Sequence, residues 1–194
     1  MELKEAIYGR RSVRKYQNKP VPKEVLQEIL ESACMAPSNI NNQPWYFLAL
    51  TSEEALQKYL GYMKDAFIKF KPTLEARFAK NPEIVEETGN FLVTLGNAPV
   101  LILVFVLKDD FIARSGEFST GQSIAAAVEN LLLMAYDKGL ASCWMTAPIE
   151  VGLGETLRAE FAPDKGRLTG AIALGYPAQN PKAPPRRAGR FDIV

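Results

Sequence analysis

The chain has 194 residues, 47% of them hydrophobic, with 23 lysines and arginines against 22 aspartates and glutamates and no histidine. That length and apolar fraction suit one domain with a substantial core, while the missing imidazole excludes Ser-His-Asp and Cys-His nucleophilic systems and most catalytic zinc sites. The net charge of +1 conceals a segregation: residues 1–20 hold six basic and two acidic side chains, residues 181–194 hold four and one, and the stretch between carries 13 basic against 19 acidic.

In chain order, MELKEAIYGRR has acids where a signal peptide carries its basic region, and no hydrophobic stretch or small-residue cleavage site follows. A soluble, cytoplasmic protein is expected. RRSVRKY, residues 10–16, then gathers Arg10, Arg11, Ser12 and Arg14. Guanidinium forks beside a hydroxyl clamp phosphate bidentately, although a solvated basic surface or a nucleic-acid patch has the same composition. VPKEVLQEILESACMA, 21–36, places Val25, Leu26, Ile29, Leu30 and Ala33 on one helical face, with Pro22 suited to the first turn. APSNINNQPW, 36–45, packs Ser38, Asn39, Asn41, Asn42 and Gln43 between two prolines. Such a loop holds amides in fixed directions, as reading a polar heterocycle requires, or it is an ordinary Asn-rich turn.

WYFLAL, 45–50, reads as a strand, and 53–80 as a helix carrying Tyr59, Tyr62, Phe67 and Phe70, with a break expected at Pro72. Those aromatics form either a stripe packed on the body or a cover over a site. A helix over 83–95 precedes the β-branched run 99–106, whose continuous apolarity suits a central strand covered on both faces. The apolar run 99–107 is far short of the roughly 20 residues that span a bilayer. The stretch 119–139 has hydroxyl residues for an N-cap, Gly139 for a stop, and apolar residues nearly all round, so burial is expected. Strands over 140–147 and 168–177 flank a short helix near 152–161, giving an α+β class with a mixed central sheet. Within SCWMTAPIE, a Pro-Ile pair at a strand end suits the face of a flat ring or merely closes a core, and Trp144 and Met145 are expected in the core. Cys34 and Cys143 are too few and too far apart for a disulfide framework or zinc site and are expected as packed thiols. The proline-rich tail 181–194, with Arg186 and Arg187, reads as an extended arm. Without histidine, chemistry is left to Lys or Glu as acid or base, or to a borrowed cofactor.

The combination and order of these motifs resembles the FMN-dependent nitroreductase family over nearly the full length, most specifically in the opening 45 residues: a helix leading into RRSVRKY, then PVPKEVLQEILESACMAPSNINNQPW, and further on GLASCWMTAPIE and LGYPAQNPKAPPRR. The resemblance implies a single domain over 1–194, an intertwined homodimer with a mixed sheet between helices, and a C-terminal arm lying over the partner. It implies FMN at the subunit interface, with Arg10, Ser12, Arg14 and Arg11 on the phosphate and ribityl chain. Pro37, Ser38, Asn39 and Asn41 would come from the other subunit, with Pro148, Ile149 and Glu150 along the ring and Arg186 and Arg187 completing the phosphate site beside Lys182. It further implies ping-pong transfer from NADH or NADPH to a small-molecule acceptor, nitroaromatic, quinone or flavin, with no catalytic side chain, no metal, no nucleic acid and no membrane. One departure is clear: Val151 stands where family members often carry the glycine whose amide approaches the flavin's redox nitrogen. A flavin-holding store or sensor, and a polyanion-binding protein, are the competing readings.

Overall fold

The structure is a computed structural model that describes residues 1–108, 110, 112 and 116–194. Among the described residues, α-helices α1 (Leu3–Gly9), α2 (Lys23–Cys34), α3 (Glu53–Arg77), α4 (Pro82–Thr94), α5 (Glu117–Asp137), α6 (Ala147–Glu150) and α7 (Gly154–Phe161) pack around strands β1 (Trp45–Leu50), β2 (Val100–Val106), β3 (Ala141–Met145) and β4 (Leu168–Gly175). The sheet order is β1-β2-β4-β3 with antiparallel neighbours. The class is α+β; the four strands pair antiparallel throughout, and outside them an isolated parallel bridge joins Ser12 to Ser142 of β3.

β2 organises the core because all seven of its residues are buried. Successive side chains point to opposite faces. Leu101, Leu103 and Phe105 therefore join Tyr59, Met63, Phe91 and Leu157 on one face, while Val100, Ile102, Val104 and Val106 join Leu26, Ile29, Val128 and Leu131 on the other. Each such side chain contributes about 1.5–3 kcal/mol by leaving water.

The helix α2 buries Leu26, Ile29 and Ala33, the stripe expected from its periodicity. Pro22 stands at its N-cap rather than inside the first turn. Pro72 does not break α3, which continues to Arg77. Pro72 and Ile68 both face solvent, so the proline ring projects away from the core and water can meet the carbonyl of Ile68, which loses its intrahelical donor. The aromatic stripe of α3 packs on the body: Tyr59 is fully buried and Phe67 lies over Gly89 of α4.

Two further differences concern α5. It starts at Glu117 after Gly116, so Ser119 and Thr120 lie inside the helix and cap nothing. Its buried residues form one stripe from Thr120 to Ala135, while the half-buried Leu133 lines a groove with Met1, Leu3 and Met35, and Met134 both borders that groove and packs against the core. Gly139 ends it as expected, with φ +73° and the Leu140 amide donating to Ala135 O at 2.9 Å. Cys143 is a packed thiol, but Cys34 is exposed at the end of α2. Met145 is core, whereas Trp144, on the opposite face of the same edge strand, is 40% exposed. Among the described residues no helix is long and apolar enough to cross a membrane.

Candidate functional site

The basic run begins where α1 stops. A Cβ on Gly9 would collide with the Tyr136 hydroxyl, so the glycine lets α1 sit flush on α5. Beyond it the chain is extended and pinned along its length: the Val13 amide donates to Ser142 O at 3.0 Å, Tyr16 to Gly96 O at 2.8 Å and Gln17 to Tyr176 O at 2.9 Å, while Lys15 O accepts from Ala178 at 2.9 Å. Val13 and Tyr16 are buried; Ser12 and Arg14 are exposed. The burial of Val13 and Tyr16, three residues apart, does not keep a strict two-residue alternation through the run.

The arginines are not equivalent. Arg10 Nε lies 3.5 Å from Glu129 Oε1 on α5, is buried, and has no hydrogen-bond partner among the described residues. Arg11 turns back onto its own helix, donating from Nη1 to Tyr8 O at 2.7 Å and Arg10 O at 2.6 Å. Arg14 lines a cavity of about 380 Å³ together with Thr88 and Phe91 of α4, Cys143 of β3, and Glu150. Its guanidinium stands 5.9 Å from the Phe91 ring centroid. Burial pushes the Cys143 thiol up and Arg14 offsets that only in part, so the sulfur is a neutral wall of the cavity rather than a nucleophile.

The amide-rich loop is built by its own side chains. Ile40, Asn41 and Gln43 hold φ of 49°, 53° and 45°, the left-handed region that L residues avoid unless held. Ser38 Oγ accepts from the Gln43 amide at 3.0 Å, and Gln43 Nε2 donates to Asn41 Oδ1 at 3.0 Å. The Asn39 amide donates to Ser123 Oγ at 3.1 Å, and that hydroxyl donates in turn to Ser119 O at 2.8 Å. Pro37, Asn39 and Asn41 are thus presented outward from a fixed backbone.

At the end of β3, Pro148 is buried, Ile149 is 39% exposed, and Glu150 Oε1 accepts from Thr146 Oγ1 at 2.8 Å. The Val151 and Gly152 amides donate to Ala147 O and Ile149 O, each at 2.9 Å. On the arm, Lys182, Arg186 and Arg187 are exposed and form no ion pair among the described residues.

Arg14 therefore shares a cavity with Glu150 within the one chain. The other groups do not converge there. Ser123, which holds the 37–41 loop, and Glu129, beside Arg10, are six residues apart on α5, hence roughly 9 Å along the axis and about 120° around it. Sequence reasoning missed three contributors: Ser123, marked only by being a hydroxyl in an apolar helix, Phe91, and Gly96, marked by the turn-rich string LGNAP.

The chain as a whole is similar to known proteins. The Nitroreductase family profile matches residues 7–176. YfhC of Bacillus subtilis, named as a candidate NAD(P)H nitroreductase, is 30% identical over 185 residues, covering 95% of this chain and 89% of the relative. Among solved structures, a Bacteroides fragilis nitroreductase with bound FMN superposes with TM-score 0.75 at 28% identity over 100% of this chain and 99% of that one. A candidate nitroreductase from Desulfovibrio desulfuricans in complex with FMN gives 0.75 at 26% over 100% and 98%. With the profile spanning the strand, loop and strand-end motifs together, the chain belongs to the Nitroreductase family.

Proposed function

We propose that the whole chain is one FMN-binding domain of a homodimeric NAD(P)H oxidoreductase that reduces nitroaromatic, quinone or flavin-type acceptors. The observation that carries this is the buried Arg10 Nε without a hydrogen-bond partner among the described residues, in the run that also carries the exposed Ser12 and Arg14. A buried guanidinium nitrogen without an acceptor is costly. A phosphate there would relieve it through charge-assisted hydrogen bonds, in competition with the nearby Glu129 carboxylate. The residues present fit the cofactor's phosphate end.

Arg10 and Ser12 hold the phosphate and ribityl chain in this reading. Arg14, which shares its cavity with Glu150, stands toward the ring-lining segment Pro148–Glu150. Arg11 supports the run by satisfying carbonyls at the end of α1. The separation of Arg10 and the 37–41 loop around α5 supports a site made by two copies, with the partner supplying Pro37, Ser38, Asn39 and Asn41. The groove with exposed Met1, Leu3 and Met35 gives the second copy an apolar surface to cover, and Arg186 and Arg187 reach across on the arm. Bound FMN supplies hydride uptake from NADH or NADPH and its alternate delivery to an acceptor; the protein orients the ring and excludes water.

One observation favours a second reading, a flavin-holding protein without efficient turnover. The amides of Val151 and Gly152 are both committed to turn carbonyls, leaving neither free for the flavin's redox nitrogen. Visible spectra of the FMN-saturated protein before and after anaerobic NADH or NADPH separate the two. Bleaching with either donor supports the reductase; bound flavin that neither donor bleaches supports the second reading; no bound flavin refutes both.

A further inference from the structure

Gly96 stands in a place that only glycine fits. Its φ is +60°, and a Cβ there would collide with the Arg14 carbonyl. It is the middle of three consecutive left-handed residues, between Leu95 at φ 51° and Asn97 at φ 66°. Such a turn persists only when it is held from outside, and here it is held on both sides. Thr94 Oγ1 accepts the Gly96 amide at 3.1 Å and donates to Asn90 O at 2.6 Å, which ties the turn to α4. The Gly96 carbonyl accepts the Tyr16 amide at 2.8 Å, which ties it to the basic strand. One turn of α4 earlier, Phe91 puts its ring 5.9 Å from the Arg14 guanidinium. The segment 91–97 thus meets the basic strand at two points flanking the Arg14 side chain: Gly96 bonds the Tyr16 amide and lies close against the Arg14 carbonyl, and Phe91 stands beside the guanidinium.

We infer that the Leu95–Asn97 turn is a positioning device that aims Arg14 into the cavity it shares with Glu150, which makes Gly96 and Thr94 determinants of cofactor affinity although they line no part of that cavity. The inference rests on the reading of Arg14 as a flavin-binding residue. A loosened turn leaves Arg14 to be ordered when FMN binds, and that ordering is subtracted from the affinity.

The test is a double-mutant cycle on FMN affinity, read by equilibrium dialysis with thermal unfolding measured alongside. Thr94→Val removes the acceptor of the Gly96 amide from an exposed position without touching the core. It is expected to weaken FMN about fivefold, the size of one hydrogen bond, in the otherwise native chain and to have no further effect in an Arg14→Ala background. Gly96→Ala is expected to act in the same way and more strongly; where it fails to fold, the Thr94 cycle stands alone. Equal weakening by Thr94→Val with and without Arg14, or no weakening at all, overturns the inference while the flavin reading survives. A native chain that binds no FMN removes the flavin reading and this inference with it.

Discussion

The two basic ends of the chain are chemically alike and physically opposite. Residues 12–17 are fixed by hydrogen bonds to β3, the Gly96 turn, Tyr176 and Ala178; residues 181–194 have no helix or strand, and Phe191 and Ile193 on them are 82% and 93% exposed. An arginine on the first segment is aimed before any ligand arrives, whereas one on the second must be ordered by something else. The contrast separates a cation set fixed by the fold from one left free of it, and in the proposed reading a second copy supplies the surface that orders the latter.

The sharpest way to break this comparison is to remove its rigid reference. Phe105→Ala, at the fully buried centre of β2, is expected to cost about 3–5 kcal/mol in chemical denaturation and to lower both ends' contributions together. Next in size, Arg10→Ala or Arg14→Ala is expected to weaken FMN about ten- to hundredfold, in line with the loss of charge-assisted hydrogen bonds, measured by dialysis. Full retention in both variants would misplace the cofactor. Deleting 182–194 sharpens the contrast, because the expected outcome is a folded protein, by circular dichroism, with FMN affinity lower by about tenfold. A smaller effect is expected from Ser123→Ala, which releases the Asn39 amide: about 1 kcal/mol of stability and a faster-exchanging loop by hydrogen exchange.

The smallest effect concerns pH. The Lys58 ammonium and the Tyr62 hydroxyl both hydrogen-bond to Glu160, linking α3 to α7 and holding its carboxyl below the usual range. A folded pKa below the unfolded one means a contribution present above the ordinary carboxylate value and lost as pH falls through the folded one. The difference in melting temperature between the native chain and Glu160→Gln should therefore shrink in acid and in high salt. A difference unchanged by both would show that the carboxylate charge is not what matters.

What was legible in the sequence depended on the range of the forces involved. β1 ran over the expected residues because its composition and the flanking Pro44 define it locally, and β2 read as a two-faced strand because every position is apolar. The α2 stripe followed from spacing alone. The misreadings came from context. Pro72 is tolerated because its side of α3 meets water, Trp144 is exposed because its strand is at an edge, and Ser119 and Thr120 sit inside α5 because Gly116 already starts it. In the candidate site, RRSVRKY showed which charges were present but not their division of labour: Arg10 to a half-buried place beside Glu129 of α5, Arg11 to the end of α1, Arg14 to the cavity with Glu150. Gly96 was unreadable for the same reason, since its partner Arg14 is 82 residues away in the chain and adjacent only after folding.

In the proposed reading a second copy completes the flavin site. Sedimentation velocity of the FMN-saturated chain, followed at both protein and flavin wavelengths, tests it most directly. Flavin absorbance that travels with a dimer and is absent from any monomer is the expected result; a monomer that carries its flavin through the sedimenting boundary would contradict it.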